Sequence, residues 1–284
     1  MRDKDEIMKL ILDIARENED IRAVTMEGSR ANPAIPPDEY QDYDITYYVE
    51  KIDPYYNNPT LIEEWFGKPL IMQMPEAMRY PDGGGHFNYM MIYEDMNRLD
   101  LTFTPKKVDD GFKTYEEPYV ILLDKDNGNG FVPLESNTSE KIYHIQPPSS
   151  LFYYSCCNNF WWCLNNVAKG IARDELPYVM NMYNNIVRPE LHEMIAWYIG
   201  ITYGFDISIG KDSKYIKQYL PSDIYELYKK TYSSSDYSDI WSSIYVICDL
   251  FHILAITVAK HFGYDYRQHE EDGIRIYLNS IRTG

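Results

Sequence analysis

The sequence predicts an α+β protein in two parts, a mixed sheet with helices followed by an all-helical domain. Three observations carry this. Short β-branched and aromatic runs recur between residues 21 and 123. Beyond residue 147 apolar residues recur at helical spacing. Between the two lies punctuation, the turn-rich Asp124–Gly130 and then Gln146-Pro147-Pro148. The domains are therefore expected at 1–146 and 147–284.

In chain order, Ile7, Leu10, Ile11 and Ile14 fall on one helical face and predict an amphipathic helix over 3–17. Ile21–Met26 reads as a short strand that ends at Glu27-Gly28-Ser29. The proline-rich Arg30–Gln41 must be a loop. Asp44–Val49, Phe87–Tyr93, Leu99–Phe103 and Tyr119–Leu123 have strand composition. Gly83-Gly84-Gly85-His86 reads as a hairpin or surface turn, because no Lys-Ser/Thr follows to make a phosphate loop. In the second part Ser149–Arg173 is one long helix with Ser149 or Ser150 as its N-cap. Leu176–Tyr203 continues as helix, broken or bent at Pro189. Lys214–Tyr232, Asp239–Phe262 and Asp272–Ile281 complete the series.

The formal net charge is −17 over 284 residues. A field of that sign repels phosphate backbones, so nucleic acid is not an expected partner. It attracts polycations, and it requires that any nucleoside triphosphate arrive with a divalent cation. Tyrosine is abundant, at 28 residues, which suits pockets and interfaces as well as half-buried helix faces. The four cysteines, Cys156, Cys157, Cys163 and Cys248, form no C-x-x-C pair and read as reduced core residues of a cytoplasmic protein. The first residues show no signal-peptide pattern, and no uninterrupted run of 18 apolar residues occurs, so no membrane association is expected.

The chemistry sits in an ordered set of parts. A strand runs into Gly28-Ser29, a loop follows, Asp42-Tyr43-Asp44 opens a second strand, and Asp100 lies inside a third. Side chains alternate along a strand, so Asp42 and Asp44 share a face and make a hard-cation site suited to Mg²⁺. Leu99 and Leu101 take one face of their strand and leave Asp100 on the other with Arg98 and Thr102. If that strand neighbours the one bearing Asp44, three carboxylates converge. Gly28 lets backbone approach a phosphate closely, the Ser29 hydroxyl adds a donor and Arg30 adds charge. A carboxylate placed beside the attacking hydroxyl can then take its proton. Each part alone has an ordinary explanation: a turn, a solvated acid pair, a salt-bridged strand acid. The ordered combination is what points to phosphoryl chemistry.

Four segments, Glu27-Gly28-Ser29-Arg30-Ala31-Asn32, Gln41-Asp42-Tyr43-Asp44-Ile45-Thr46, Arg98-Leu99-Asp100-Leu101-Thr102 and Phe160–Gly170, resemble the aminoglycoside 6-adenylyltransferases, the streptomycin-modifying enzymes of the polymerase-β-like nucleotidyltransferase superfamily. The resemblance covers essentially the whole chain. It implies a nucleotidyltransferase domain over 1–146 and a helical acceptor-binding domain over 147–284, with the active site between them. It also implies transfer of AMP from Mg²⁺-ATP to the 6-hydroxyl of streptomycin, with release of pyrophosphate and antibiotic resistance as the outcome. The motif places the metal on Asp42 and Asp44, with Asp100 as third ligand, general base or both, and the phosphates on Gly28 and Ser29. Gln41 stands where many members of the superfamily carry serine.

Around this centre, Lys169 is expected to reach ATP phosphates. Trp161 and Trp162 are adjacent on a helix and cannot both face the core fully, so one, taken as Trp162, is expected to line the acceptor pocket. Asp174 and Glu190 are expected to bind guanidinium groups. A monomer or weak homodimer is expected. The alternative is a nucleotidyltransferase of the same fold acting on a protein or another small cationic acceptor.

Overall fold

A computed structural model describes every residue except 1, 82, 108–116, 129, 134 and 284. The chain divides into two compact units, Met1–Ile142 and Tyr143–Gly284.

The first unit is built on a six-stranded sheet. Its strands are β1 (Ile21–Glu27), β2 (Tyr43–Val49), β3 (Ile71–Gln73), β4 (Phe87–Ile92), β5 (Arg98–Thr104) and β6 (Tyr119–Asp124). The spatial order is β3-β4-β5-β2-β1-β6. Among the described residues only β2 and β5 pair in parallel; the other four pairings are antiparallel. The sheet is therefore mixed, with the two strands that carry the predicted aspartates side by side at its centre.

One face of the sheet is apolar. Ile45 and Tyr47 of β2, Leu99, Leu101 and Phe103 of β5, and Phe87, Tyr89 and Met91 of β4 are all buried there. Helices α1 (Lys4–Glu17) and α3 (Pro59–Phe66) supply Ile7, Ile11, Ile62 and Phe66 to the same core. The start of α1 is fixed by a capping box in which Asp3 accepts from Asp5 and Glu6 backbone N–H groups and Glu6 reciprocates, an arrangement worth about 1 kcal/mol. Tyr47, though fully buried, is satisfied by donating to the Ile11 carbonyl at 2.6 Å. The alternation that buries one face leaves Thr25, Glu27, Asp44, Thr46, Asp100 and Thr102 on the other.

The second unit is helical: α4 (Ser150–Ala172), α5 (Leu176–Met182), α6 (Arg188–Tyr203), the short α7 (Ile216–Tyr219), α8 (Ser222–Lys230), α9 (Tyr237–Phe262) and α10 (Gln268–Thr283). Ser149 caps α4 by accepting from the Phe152 N–H. Helix α9 is long and apolar enough, by length and composition, to cross a membrane; over half of that stretch is buried inside this unit, where Ile244, Phe251 and Leu254 form the middle of the core. All four cysteines are free and buried.

Several elements differ from the sequence reading. The interruption expected at Pro189 lies just before it, as a π-helical turn over Tyr183–Val187, after which α6 begins with Pro189 in its first turn. Proline has no N–H to give to the carbonyl four residues earlier, and the wider turn accommodates that loss. The helix expected over Lys214–Tyr232 is two, α7 and α8, divided at Leu220-Pro221. Helix α3 and strand β3 had no counterpart among the expected elements.

Candidate active site

The loop after β1 and the first residues of β2 meet on the polar face of the sheet. Cross-strand register places Glu27 opposite Asp44 and Asp44 beside Asp100, so three acidic side chains from β1, β2 and β5 form a row on one face. Asp42 stands two residues before Asp44, just ahead of β2, on the same side by alternation.

Gly28 follows directly at the end of β1. It has φ of +69°, and a Cβ built there would lie 2.0 Å from Oδ2 of Asp44. The Asp44 carboxylate thus rests on the glycine backbone in space that a side chain would fill. Gly28 to Ala31 form a single helical turn, α2.

Arg98, which sequence reasoning left outside the site, is its principal cation. It makes a two-pronged pair with Asp100, Nε to Oδ1 at 2.9 Å and Nη2 to Oδ2 at 2.6 Å. Its remaining nitrogen reaches Asp42 at 3.1 Å. The signal was present in the i, i+2 spacing of Arg98 and Asp100 on one strand. Arg30, expected on phosphate, is used structurally: it donates to the backbone carbonyls of Asp42 at 2.9 Å and Gln41 at 2.7 Å, and its guanidinium lies 3.9 Å from the centre of the Tyr43 ring. It fixes the backbone that carries the D-x-D pair. Gln41 adds a donor to the Ser29 carbonyl at 3.3 Å, tying the far end of the loop to the Gly28-Ser29 turn.

The electrostatics follow from this crowding. Burial, with Asp100 and Asp42 nearby, pushes the Asp44 carboxyl up to about 6. Burial also raises Asp42, with Arg98 opposing the shift. Glu27 is pushed up to about 7, first by burial, while hydrogen bonds from Thr25 and Thr46 work against it. Glu27 was missed in the sequence as a site residue because it ends a strand next to a glycine, where an acid usually caps a turn.

Among the described residues no three His, Cys, Asp or Glu side chains stand close enough to form a ready metal cluster. Arg98 bridges Asp42 and Asp100 instead, and Asp44 makes no ion pair among the described residues. The residues nonetheless fit a divalent cation. The donors are all hard carboxylate oxygens, they repel one another, and Asp44 is a partly buried acid whose charge lacks a partner. A bound cation would relieve that deficit.

The remaining expected residues lie in the second unit. Trp161 is buried and Trp162 is 69% exposed, so the two indoles divide as adjacent helical positions require. Trp162 lines a cavity of about 500 Å³. Glu190 lines another, of about 680 Å³, with Glu193 and Trp197, and accepts from the Asn159 amide at 2.5 Å. Asp174 lines neither; it accepts from the Tyr237 hydroxyl at 2.8 Å and ties the start of α9 to the turn after α4. Lys169 is half-buried near the end of α4.

Comparison with known proteins identifies the family. A family model described as streptomycin adenylyltransferase matches residues 1–281. An aminoglycoside 6-adenylyltransferase of Bacillus subtilis (strain 168) is 38% identical over 284 residues, spanning 99% of this chain and 98% of that protein. One from Campylobacter jejuni is 37% identical, over 95% of this chain and 93% of the other. One from Staphylococcus aureus is 34% identical over 96% of each.

Proposed function

From the premise that this chain belongs to the streptomycin adenylyltransferase family, and so is an enzyme that transfers AMP, we propose that it moves AMP from Mg²⁺-ATP to a hydroxyl of streptomycin and releases pyrophosphate. The observation that supports this most directly is the row Glu27, Asp44, Asp100 with the Asp44 carboxylate laid on Gly28. It brings carboxylates and a positive-φ glycine turn together within one strand register.

In this reading Gly28 and Ser29 cradle phosphate oxygens, because a glycine at positive φ exposes backbone N–H groups that a side chain would shield. Asp42 and Asp44 would hold Mg²⁺, and Asp100 would join them or act as base. The ion, when bound, neutralises charge on the phosphate oxygens. The acceptor oxygen forms a bond to the α-phosphorus as the bond to pyrophosphate breaks. The hydroxyl proton passes to a carboxylate, a role this reading gives to Asp100. Arg98 holds Asp100 and Asp42 in position, and Arg30 holds the backbone at Gln41 and Asp42. Lys169 would meet phosphate. Trp162, Glu190 and Asp174 would face the cationic acceptor, though Asp174 would first have to give up Tyr237.

The test is pyrophosphate release from ATP and Mg²⁺ with streptomycin, spectinomycin and kanamycin supplied separately, for the wild type and for Asp42→Asn, Asp44→Asn and Asp100→Asn. Release with streptomycin, lost in all three variants with the fold intact, is the expected result. Release with none of the three would remove streptomycin as acceptor and turn attention to a protein or another cationic small molecule.

A further inference from the structure

Beside the row of carboxylates runs a second row that adenylyl transfer, as described above, does not use. Asn88 of β4, Thr102 of β5, Thr46 of β2 and Thr25 of β1 stand opposite one another in unbroken register. Each lies two residues along its strand from a member of the row Met90, Asp100, Asp44 and Glu27, and so on the same face of the sheet. Thr25 is fully buried, whereas Asn88, Thr102 and Thr46 are half-buried.

A glutamate ends this second row on each side and sets the direction of its hydrogen bonds. Glu76, whose side chain is 4% exposed, takes both donors of Asn88, Nδ2 at 2.6 Å and the backbone N–H at 2.8 Å. That contact fixes the Asn88 amide, because Nδ2 is its donor half, and turns Oδ1 toward Thr102. The Thr102 hydroxyl must then donate, and it does so at 2.5 Å. On the other side Glu27 accepts from the Thr46 hydroxyl at 3.2 Å and from the Thr25 hydroxyl. Thr46 and Thr102 are direct neighbours, yet one gives its hydrogen toward β1 and the other toward β4. A hydroxyl has a single hydrogen, so between them, next to Asp44 and Asp100, these two present lone pairs only. Among the described residues no side-chain donor reaches either oxygen.

A floor that only accepts selects a group that only donates. Water coordinated to a metal is such a group: its lone pair is on the ion and both hydrogens point outward. A free water or a sugar hydroxyl needs a donor as well. Mg²⁺ sheds its waters reluctantly and is held by few carboxylates, so part of its shell remains water that the protein must seat.

We infer that Thr46 and Thr102 are positioning residues that accept hydrogen bonds from water coordinated to the divalent cation at Asp42 and Asp44. The inference rests on the metal assignment proposed above and not on the identity of the acceptor.

The experiment is calorimetric titration of the full chain with Mg²⁺ and, separately, with hexaamminecobalt(III), whose ammines do not exchange and which meets a protein only through N–H hydrogens. The variants are Thr46→Val and Thr102→Val, which keep the branched shape and remove the hydroxyl, and Thr46→Ser and Thr102→Ser, which keep it. Melting without metal confirms that each folds, and binding that survives in Asp44→Asn is subtracted as general attraction to an acidic surface. Each valine variant is expected to bind both ions at least about threefold more weakly, and each serine variant to recover most of the loss. Asp44-dependent Mg²⁺ binding that neither valine variant changes, hexaamminecobalt(III) affinity equal in wild type and valine variants, or serine variants no better than valine, would overturn the inference and leave the metal assignment standing. No Asp44-dependent Mg²⁺ binding in the wild type would overturn the metal assignment and the inference with it.

Discussion

Gly28 and Asp44 are in contact across the β1–β2 pair, so closely that a methyl group on Gly28 would lie 2.0 Å from Oδ2 of Asp44. The position also has φ of +69°, a conformation that costs an L-residue roughly 1–2 kcal/mol. Gly28→Ala must therefore displace the Asp44 carboxylate, the backbone turn, or both. Pyrophosphate release should fall at least about 100-fold while circular dichroism shows a folded protein. An alanine variant with wild-type turnover would mean that the Gly28–Asp44 contact has no part in the reaction.

Arg98 predicts a specific exchange of charge. It is shared by Asp42 and Asp100, and its removal leaves those carboxylates facing each other and Asp44 with no cation between them. Arg98→Met should melt lower than the wild type without Mg²⁺, gain more in melting temperature when Mg²⁺ is added, and reach half-maximal turnover at a lower Mg²⁺ concentration. Equal Mg²⁺-induced shifts in the two proteins would rule out Arg98 as a counter-charge that the metal supplements.

Much of this site was legible in the sequence because strand alternation is a two-residue rule. It placed Asp42 with Asp44, and Asp100 opposite Leu99 and Leu101, and the structure has β2 and β5 as parallel neighbours with Asp44 beside Asp100. What alternation does not give is which strand lies next to which, and so Glu27 opposite Asp44 was not foreseen. The double use of Arg98 and the backbone duty of Arg30 also escaped, because both depend on where a long flexible side chain ends. In the second half the helical period located the main helices. It ran through Pro221 and misplaced the break before Pro189, because apolar spacing carries no information about a local change in hydrogen-bond ladder. Short α3 is held by packing against the sheet, where Ile62 and Phe66 enter the core, and β3 by its ladder to β4, more than by their own pattern.

The raised carboxyls set a pH dependence. Asp44 titrates at about 6 and Glu27 at about 7 in the folded protein, both chiefly because of burial, against ordinary values of 3.8 and 4.5. The folded state therefore holds these protons more tightly than the unfolded chain. The stability they contribute is complete below the unfolded values and is lost as pH rises through about 6 and then about 7. Without metal, the protein should melt higher near pH 5 than near pH 7.5, and Asp44→Asn should remove part of the difference, on the order of 1–3 kcal/mol. Mg²⁺ should restore stability at the higher pH and do little at the lower. A metal-free melting temperature that is flat over this range, or one that Asp44→Asn leaves equally steep, would mean that the site's carboxylates are not held under strain.

Glu271 makes the opposite prediction. Burial opposes its charge, yet hydrogen bonds from Tyr266, His252 and Arg275 outweigh that and hold its carboxyl below the ordinary value. A depressed carboxylate contributes stability above its unfolded pKa and loses it as pH falls through the folded one. Glu271→Gln keeps the shape but strands His252 Nδ1, at 2.6 Å, and Arg275 Nε, at 2.8 Å, beside a neutral amide. The variant should lose about 2–4 kcal/mol at neutral pH, read from urea unfolding, and the gap to wild type should close in acid as the native carboxylate is protonated. A loss of stability that is independent of pH would mean that packing of α10, rather than the ionised carboxylate, is what Glu271 provides.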